Sequence, residues 1–100
     1  GDELYYMHMF GEVRVLMEAV TQGIARGFAE REWEPGMSHP VLYEKKIEDG
    51  AILYCTLGHR RGHWDMEPLM DYYKKEELGA WELPDFDIIT RRSIQWLQKA

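Results

Sequence analysis

An α/β fold follows from a hairpin signal at about 41–57, a charge-free returning strand within it, and an amphipathic helix that opens at Pro84. In the hairpin, Val41–Ile47 places Glu44 and Lys46 on one face, expected to be the exposed one. Asp49-Gly50 is a turn pair suited to positive φ, and Ala51–Leu57 returns. Ala51-Ile52-Leu53-Tyr54-Cys55-Thr56-Leu57 carries no charge, which predicts a strand covered on both sides. Two C-terminal helices follow. Asp65 can cap the first, from about Met66 to Lys75, where Pro68 falls within the opening turn. The second runs from Pro84 to about Gln98, with Phe86, Ile89, Ser93, Trp96 and Leu97 in one stripe. Asp85 and Asp87 stand at its positive end, and Arg91, Arg92 and Lys99 lie further along.

The first forty residues read less sharply. Leu4–Phe10, closed by Gly11, suits a strand or strand end. Val13–Ala19 alternates Val13, Val15 and Met17 with Arg14, Leu16 and Glu18, a strand signal with which a helix through Val20 competes. Gly23, Gly27, Pro35 and Gly36 make Thr21–Ser38 a long irregular connection, with Phe28 and Trp33 expected to pin it to the body.

Composition bounds the function. One hundred residues suit one domain, 1–100, and 45% hydrophobic with 30% charged residues describe a globular chain rather than a disordered one. A net charge of −6 argues against nucleic acid as a partner, because phosphate neutralisation needs clustered Lys and Arg. No apolar run reaches the roughly 20 residues of a membrane span, so no membrane partner is expected. The single Cys55 forms no internal disulfide, which leans toward a reducing, cytoplasmic setting. Mid-strand in apolar company, it is expected to be buried and inert. The abrupt opening on Asp2-Glu3-Leu4-Tyr5 suggests a piece of something longer.

Polar chemistry concentrates in Gly58-His59-Arg60-Arg61-Gly62-His63-Trp64-Asp65, directly after the charge-free strand. Loops at the carboxyl ends of buried strands commonly hold ligands in α/β proteins. His59 has the chemistry of a general acid or base. His59, His63 and Asp65 could ligate a divalent metal, zinc or similar, although a glycine-broken loop is a weaker signal than two histidines one helical turn apart. Arg60 and Arg61 suit an anionic or hydroxyl-rich ligand, and Trp64 could stack on a sugar ring. A purely structural role, with His59 hydrogen-bonded inside the fold and the arginines paired with acids, weighs as much as these alternatives together. The carboxylates Asp2 and Glu3 beside Tyr5 and Tyr6 form a second candidate cluster, although composition alone favours a simple polar terminus. His8, among Met7, Met9 and Phe10, reads as a core histidine, and His39, before Pro40, as a loop residue. Trp33, Trp81 and Trp96 read as packing residues.

Taken in order, Asp2-Glu3-Leu4-Tyr5, His39-Pro40-Val41-Leu42-Tyr43, Gly50-Ala51-Ile52-Leu53-Tyr54 and Leu57-Gly58-His59 resemble motifs of the trehalose-utilisation (ThuA-like) family. Arg91-Arg92-Ser93-Ile94-Gln95-Trp96 is similar to its terminal helix, with Ser93 in the usual glycine place, and Gly58–Met66 resembles one subgroup's Gly-His-x-Arg-Gly-His-Tyr-Asp-Met. The resemblance spans nearly the whole chain and corresponds to the C-terminal half of the family's domain. It implies part of a flavodoxin-like, glutamine-amidotransferase-like α/β domain with a mixed sheet. It also implies carbohydrate metabolism on a disaccharide or keto-sugar, with His59, Glu3 and Tyr5 catalytic and Gly58, Arg60, Arg61 and Trp64 on the substrate. Some family members look metal-dependent, and the family lacks a dependable nucleophilic cysteine. Half a domain leaves a strand face to cover, which predicts a homo-oligomer or a compact rearranged domain, and half a site holds a transition state poorly.

Overall fold

The computed structural model describes residues 4–5, 7–22, 35–60 and 78–99. These fall into two compact units, Leu4–Thr56 and Leu57–Lys99.

The first unit is a three-stranded antiparallel sheet in the order β1-β2-β3, built from β1 (Arg14–Val20), β2 (Ser38–Ile47) and β3 (Gly50–Cys55). The helix that competed for the first segment is not formed. Alternating side chains instead let β1 pair with β2 from Arg14↔Glu44 to Val20↔Ser38, with an irregularity where Met17 meets Leu42. Around the connection, Thr21 N donates to Met37 O and Gly36 N to Thr21 O, both at 2.8 Å, so its two ends are tied together. The stretch Leu4–Phe10 contributes no strand among its described residues. The Phe10 carbonyl does accept a 2.8 Å hydrogen bond from Lys45 Nζ. The anchoring expected of Phe28 and Trp33 lies outside the described residues.

The core gathers on the central strand. Val41 and Leu42, 4% and 8% exposed, are neighbours in β2 and so point to opposite sheet faces. His39 and Glu44 are buried on the same strand, which corrects two expectations. His39 is no loop residue: it enters β2 and its Nε2 lies 2.6 Å from Thr21 Oγ1, a local polar partner that makes burial affordable. Glu44 is not on a wet face, because β1 covers it from one side and Arg14 approaches it at 3.5 Å. His8, expected in the core, is exposed.

The hairpin is present, shifted by one residue. Ile47 pairs with Gly50, so the loop is Glu48-Asp49, and Glu48 rather than Gly50 adopts positive φ, at 51°. A side chain there resists the left-handed region. Glu48→Gly is therefore expected to stabilise the protein by about 0.5–1 kcal/mol, net of the entropy that glycine adds to the unfolded chain. A rise in the urea midpoint checks this.

β3 is not covered on both sides. Ile52 and Tyr54 are each 48% exposed and Cys55 is exposed, which corrects both the doubly buried strand and the buried thiol. An apolar composition sets the cost of exposure but does not supply a second layer, and β3 is an edge strand among the described residues. Tyr54 recovers some contact by stacking on Tyr43, with centroids 5.3 Å apart and planes 22° from parallel.

The second unit holds a 3-10 turn, Gly79–Glu82, and α1, Pro84–Leu97. Leu83 is extended (φ −97°, ψ 124°), as the residue before a proline is expected to be, and Pro84 opens the helix. Asp85 and Asp87 occupy the first turn. The last turn carries no base; Arg91 instead donates to Asp87 Oδ2 at 2.8 Å, which holds its guanidinium above its ordinary pKa. No residue of α1 is buried, and Phe86, Ile89 and Ser93, the centre of the expected stripe, are its least exposed. The expected helix from Met66 to Lys75 lies outside the described residues. A sheet and a C-terminal helix make the chain a mixed α and β protein, and every described strand pair is antiparallel where a mixed sheet was expected. No helix among the described residues is long and apolar enough to cross a membrane.

Candidate functional site

Three residues of the expected loop are described: Gly58, His59 and Arg60. All three belong to the helical unit, and there the sequence holds Gly58 by two aromatic side chains. Trp81 Nε1, presented by the 3-10 turn, donates a 2.8 Å hydrogen bond to the Gly58 carbonyl. Phe86, in the first turn of α1, lies against the Gly58 α-carbon, so that a Cβ there would stand 3.0 Å from Phe86 Cζ. The two rings pack edge-to-face, 5.0 Å between centroids and 71° between planes. Gly58 itself has φ 108°, a backbone region that L side chains rarely adopt. The result is a glycine fixed by contact on one side and by a hydrogen bond on the other, with a net worth of about 1–3 kcal/mol for the hydrogen bond and the ring pair together.

The next residue inherits that constraint. His59 is partly buried, neither sealed in a core nor fully in solvent, and Arg60 is exposed. An imidazole on a fixed backbone has the chemistry to exchange protons with a bound molecule, and a neighbouring guanidinium that to hold an oxygen-rich one.

The remaining expected site residues divide. Arg61, His63, Trp64 and Asp65 lie outside the described residues, as does Glu3. Tyr5 belongs to the sheet unit and is 44% exposed. Of the expected metal ligands only His59 is described, and among the described residues no group of three or more His, Cys, Asp or Glu side chains comes together.

The sheet unit carries a second polar feature that the sequence did not announce. An open groove of about 690 Å³ is lined by Gly11, Glu12, Val13, Arg14, Glu44 and Lys46. Its described lining carries two carboxylates and two cations, and the buried Glu44 pairs with Arg14 at 3.5 Å. The sequence offers only Glu44 beside Lys45 and Lys46, which reads as a solvated face. Trp81 was likewise read only as a packing residue. Its bond to Gly58 joins positions 23 apart, which no local pattern encodes.

No family model, curated protein or solved structure matches the chain.

Proposed function

We propose that this chain is a ThuA-like carbohydrate-processing protein acting in the cytoplasm on a sugar or keto-sugar, with His59 as its central acid/base group. Arg60 and Arg61 hold substrate hydroxyls or a carboxylate, Trp64 stacks on the ring, and Glu3 supports the chemistry. Gly58 fixes the backbone that leads into His59 and Arg60. A divalent metal held by His59, His63 and Asp65 is part of the same proposal, as is the finer architecture: one half of a flavodoxin-like domain, with parallel strands supplied from outside these residues.

The observation that supports this best is the clamped glycine. Glycine takes φ 108° without strain, and Trp81 and Phe86 fix it there, which holds in place the backbone that leads into His59, as a positioned functional side chain requires. Here the residue so placed is a partly buried histidine.

The direct test incubates the protein with a panel of disaccharides, aldoses and keto-sugars, with and without added zinc, and follows each by NMR. Conversion of at least one sugar is the expected result. Line broadening without conversion would replace the enzyme with a sugar-binding module. A panel that neither binds nor reacts would remove carbohydrate from the account.

A further inference from the structure

We propose that the groove at the start of β1 binds a free amino acid as its zwitterion. Glu44 and Glu12 take the ammonium, and Arg14 and Lys46 take the carboxylate. The site stands apart from His59, which belongs to the other compact unit.

The groove opens where one strand falls short of its neighbour. Pairing of β1 with β2 ends at Arg14↔Glu44, while β2 stays paired with β3 through Lys46↔Ala51 and Ile47↔Gly50. Glu12 and Val13 therefore lie beyond the ladder, across the opening from the end of β2 that carries Lys46. The chain turns at Gly11, with φ 73°, and Lys45 Nζ donates to the Phe10 carbonyl at 2.8 Å, which ties the departing segment back. All six described lining residues belong to one compact unit. The opening, about 690 Å³, falls within the roughly 300–1,000 Å³ of small-molecule sites.

Glu44 points to the ligand. Its side chain is only 6% exposed, yet its one ion-pair contact among the described residues, to Arg14, is 3.5 Å long. A strong charge-assisted hydrogen bond is about 2.7–2.9 Å. A carboxylate offers roughly four acceptor positions, so Glu44 keeps several for a donor in the groove, and a buried one gains most from a donor that is charged. An ammonium brings three such donors. Arg14, 74% exposed, has five donors to share between Glu44 and a ligand carboxylate. Lys46 lies on the same face of β2 as Glu44, two residues on, and is exposed.

Other ligand classes fit less well. An anion drawn to Arg14 and Lys46 meets Glu12 and Glu44, and a cation drawn to the acids meets the two bases. A ligand with both charges and no net charge gains from each pair. Val13 is the only apolar side chain of the described lining, so an apolar molecule would desolvate four charges for little contact. A neutral sugar meets each ion with a dipole where an amino acid meets it with a charge.

Titrating the full chain with glycine and with L-leucine, followed by amide NMR shifts, tests the site; acetate, methylammonium and maltose are the controls. Both amino acids are expected to shift Glu12, Val13 and Lys46 saturably, and each control to bind at least about tenfold more weakly. Glu44→Gln keeps the shape and removes the charge, and is expected to weaken glycine binding at least about tenfold, as the loss of one charged hydrogen bond does. Lys46→Met, at an exposed position, is expected to weaken it about two- to fivefold. Absence of saturable binding by either amino acid overturns the proposal, as does any control that binds as tightly. So does binding that folded Glu44→Gln and Lys46→Met chains both leave unchanged. Should circular dichroism show that Glu44→Gln does not fold, Lys46→Met and the wild-type shifts decide.

Discussion

Gly58→Ala is expected to lower stability by about 1–3 kcal/mol, read as a fall in the urea midpoint at unchanged slope. Two effects add. The backbone at φ 108° is poorly accessible to any residue with a Cβ, and the new methyl would press on Phe86 Cζ at 3.0 Å. Gly36 separates them. Its φ is 87°, yet a Cβ there would meet nothing within 4 Å, so Gly36→Ala carries the backbone effect alone. The difference between the two variants is the crowding against Phe86. Adding Phe86→Leu to Gly58→Ala should recover that difference, because a smaller side chain makes room while the φ penalty stays. Equal losses at positions 36 and 58 would mean that the ring yields freely and that Gly58 is not clamped.

His59→Ala is expected to lower kcat for the converted sugar by about 10²- to 10⁴-fold, the usual contribution of a positioned acid or base. KM should move far less, since sugar binding rests on Arg60, Arg61 and Trp64 in the proposed arrangement. Because His59 follows Gly58 directly, the variant's urea midpoint must be measured alongside, and it is expected to stay close to wild type at a partly exposed position. Metal content before and after the substitution distinguishes the two chemistries. A zinc stoichiometry that falls with kcat makes His59 a ligand, and a loss of kcat with no change in metal makes it a proton carrier. Turnover within about twofold of wild type would take His59 out of the mechanism altogether.

The elements that the sequence revealed are those whose signals are local. Pro84 with Asp85 and Asp87 marked a helix start that the structure places at Pro84. Alternation at 13–19 marked β1 within one residue, and the apolar run after Gly50 marked β3. Burial was less legible, because it depends on what lies across the strand. Glu44 looked solvated beside Lys46, yet Arg14 of β1 sits opposite it; Ile52, Tyr54 and Cys55 looked enclosed, yet among the described residues β3 has a strand neighbour on one side only. The hairpin slipped for a related reason. Asp49-Gly50 is the better turn pair by propensity, but pairing Tyr43 with Tyr54 and Lys45 with Ile52 fixes the loop one residue earlier and forces Glu48 to positive φ. At the candidate site the histidine was legible from its loop, while its support was not: Trp81 and Phe86 reach Gly58 across more than twenty residues of chain.

Four of the six buried residues among those described (His39, Val41, Leu42 and Glu44) sit on β2, and none sits on α1. In evolutionary terms this concentrates intolerance to substitution in one ten-residue stretch. Drift along the helix surface and at strand margins is cheap by comparison, so descendants of this chain could diverge widely while keeping a short central segment nearly intact.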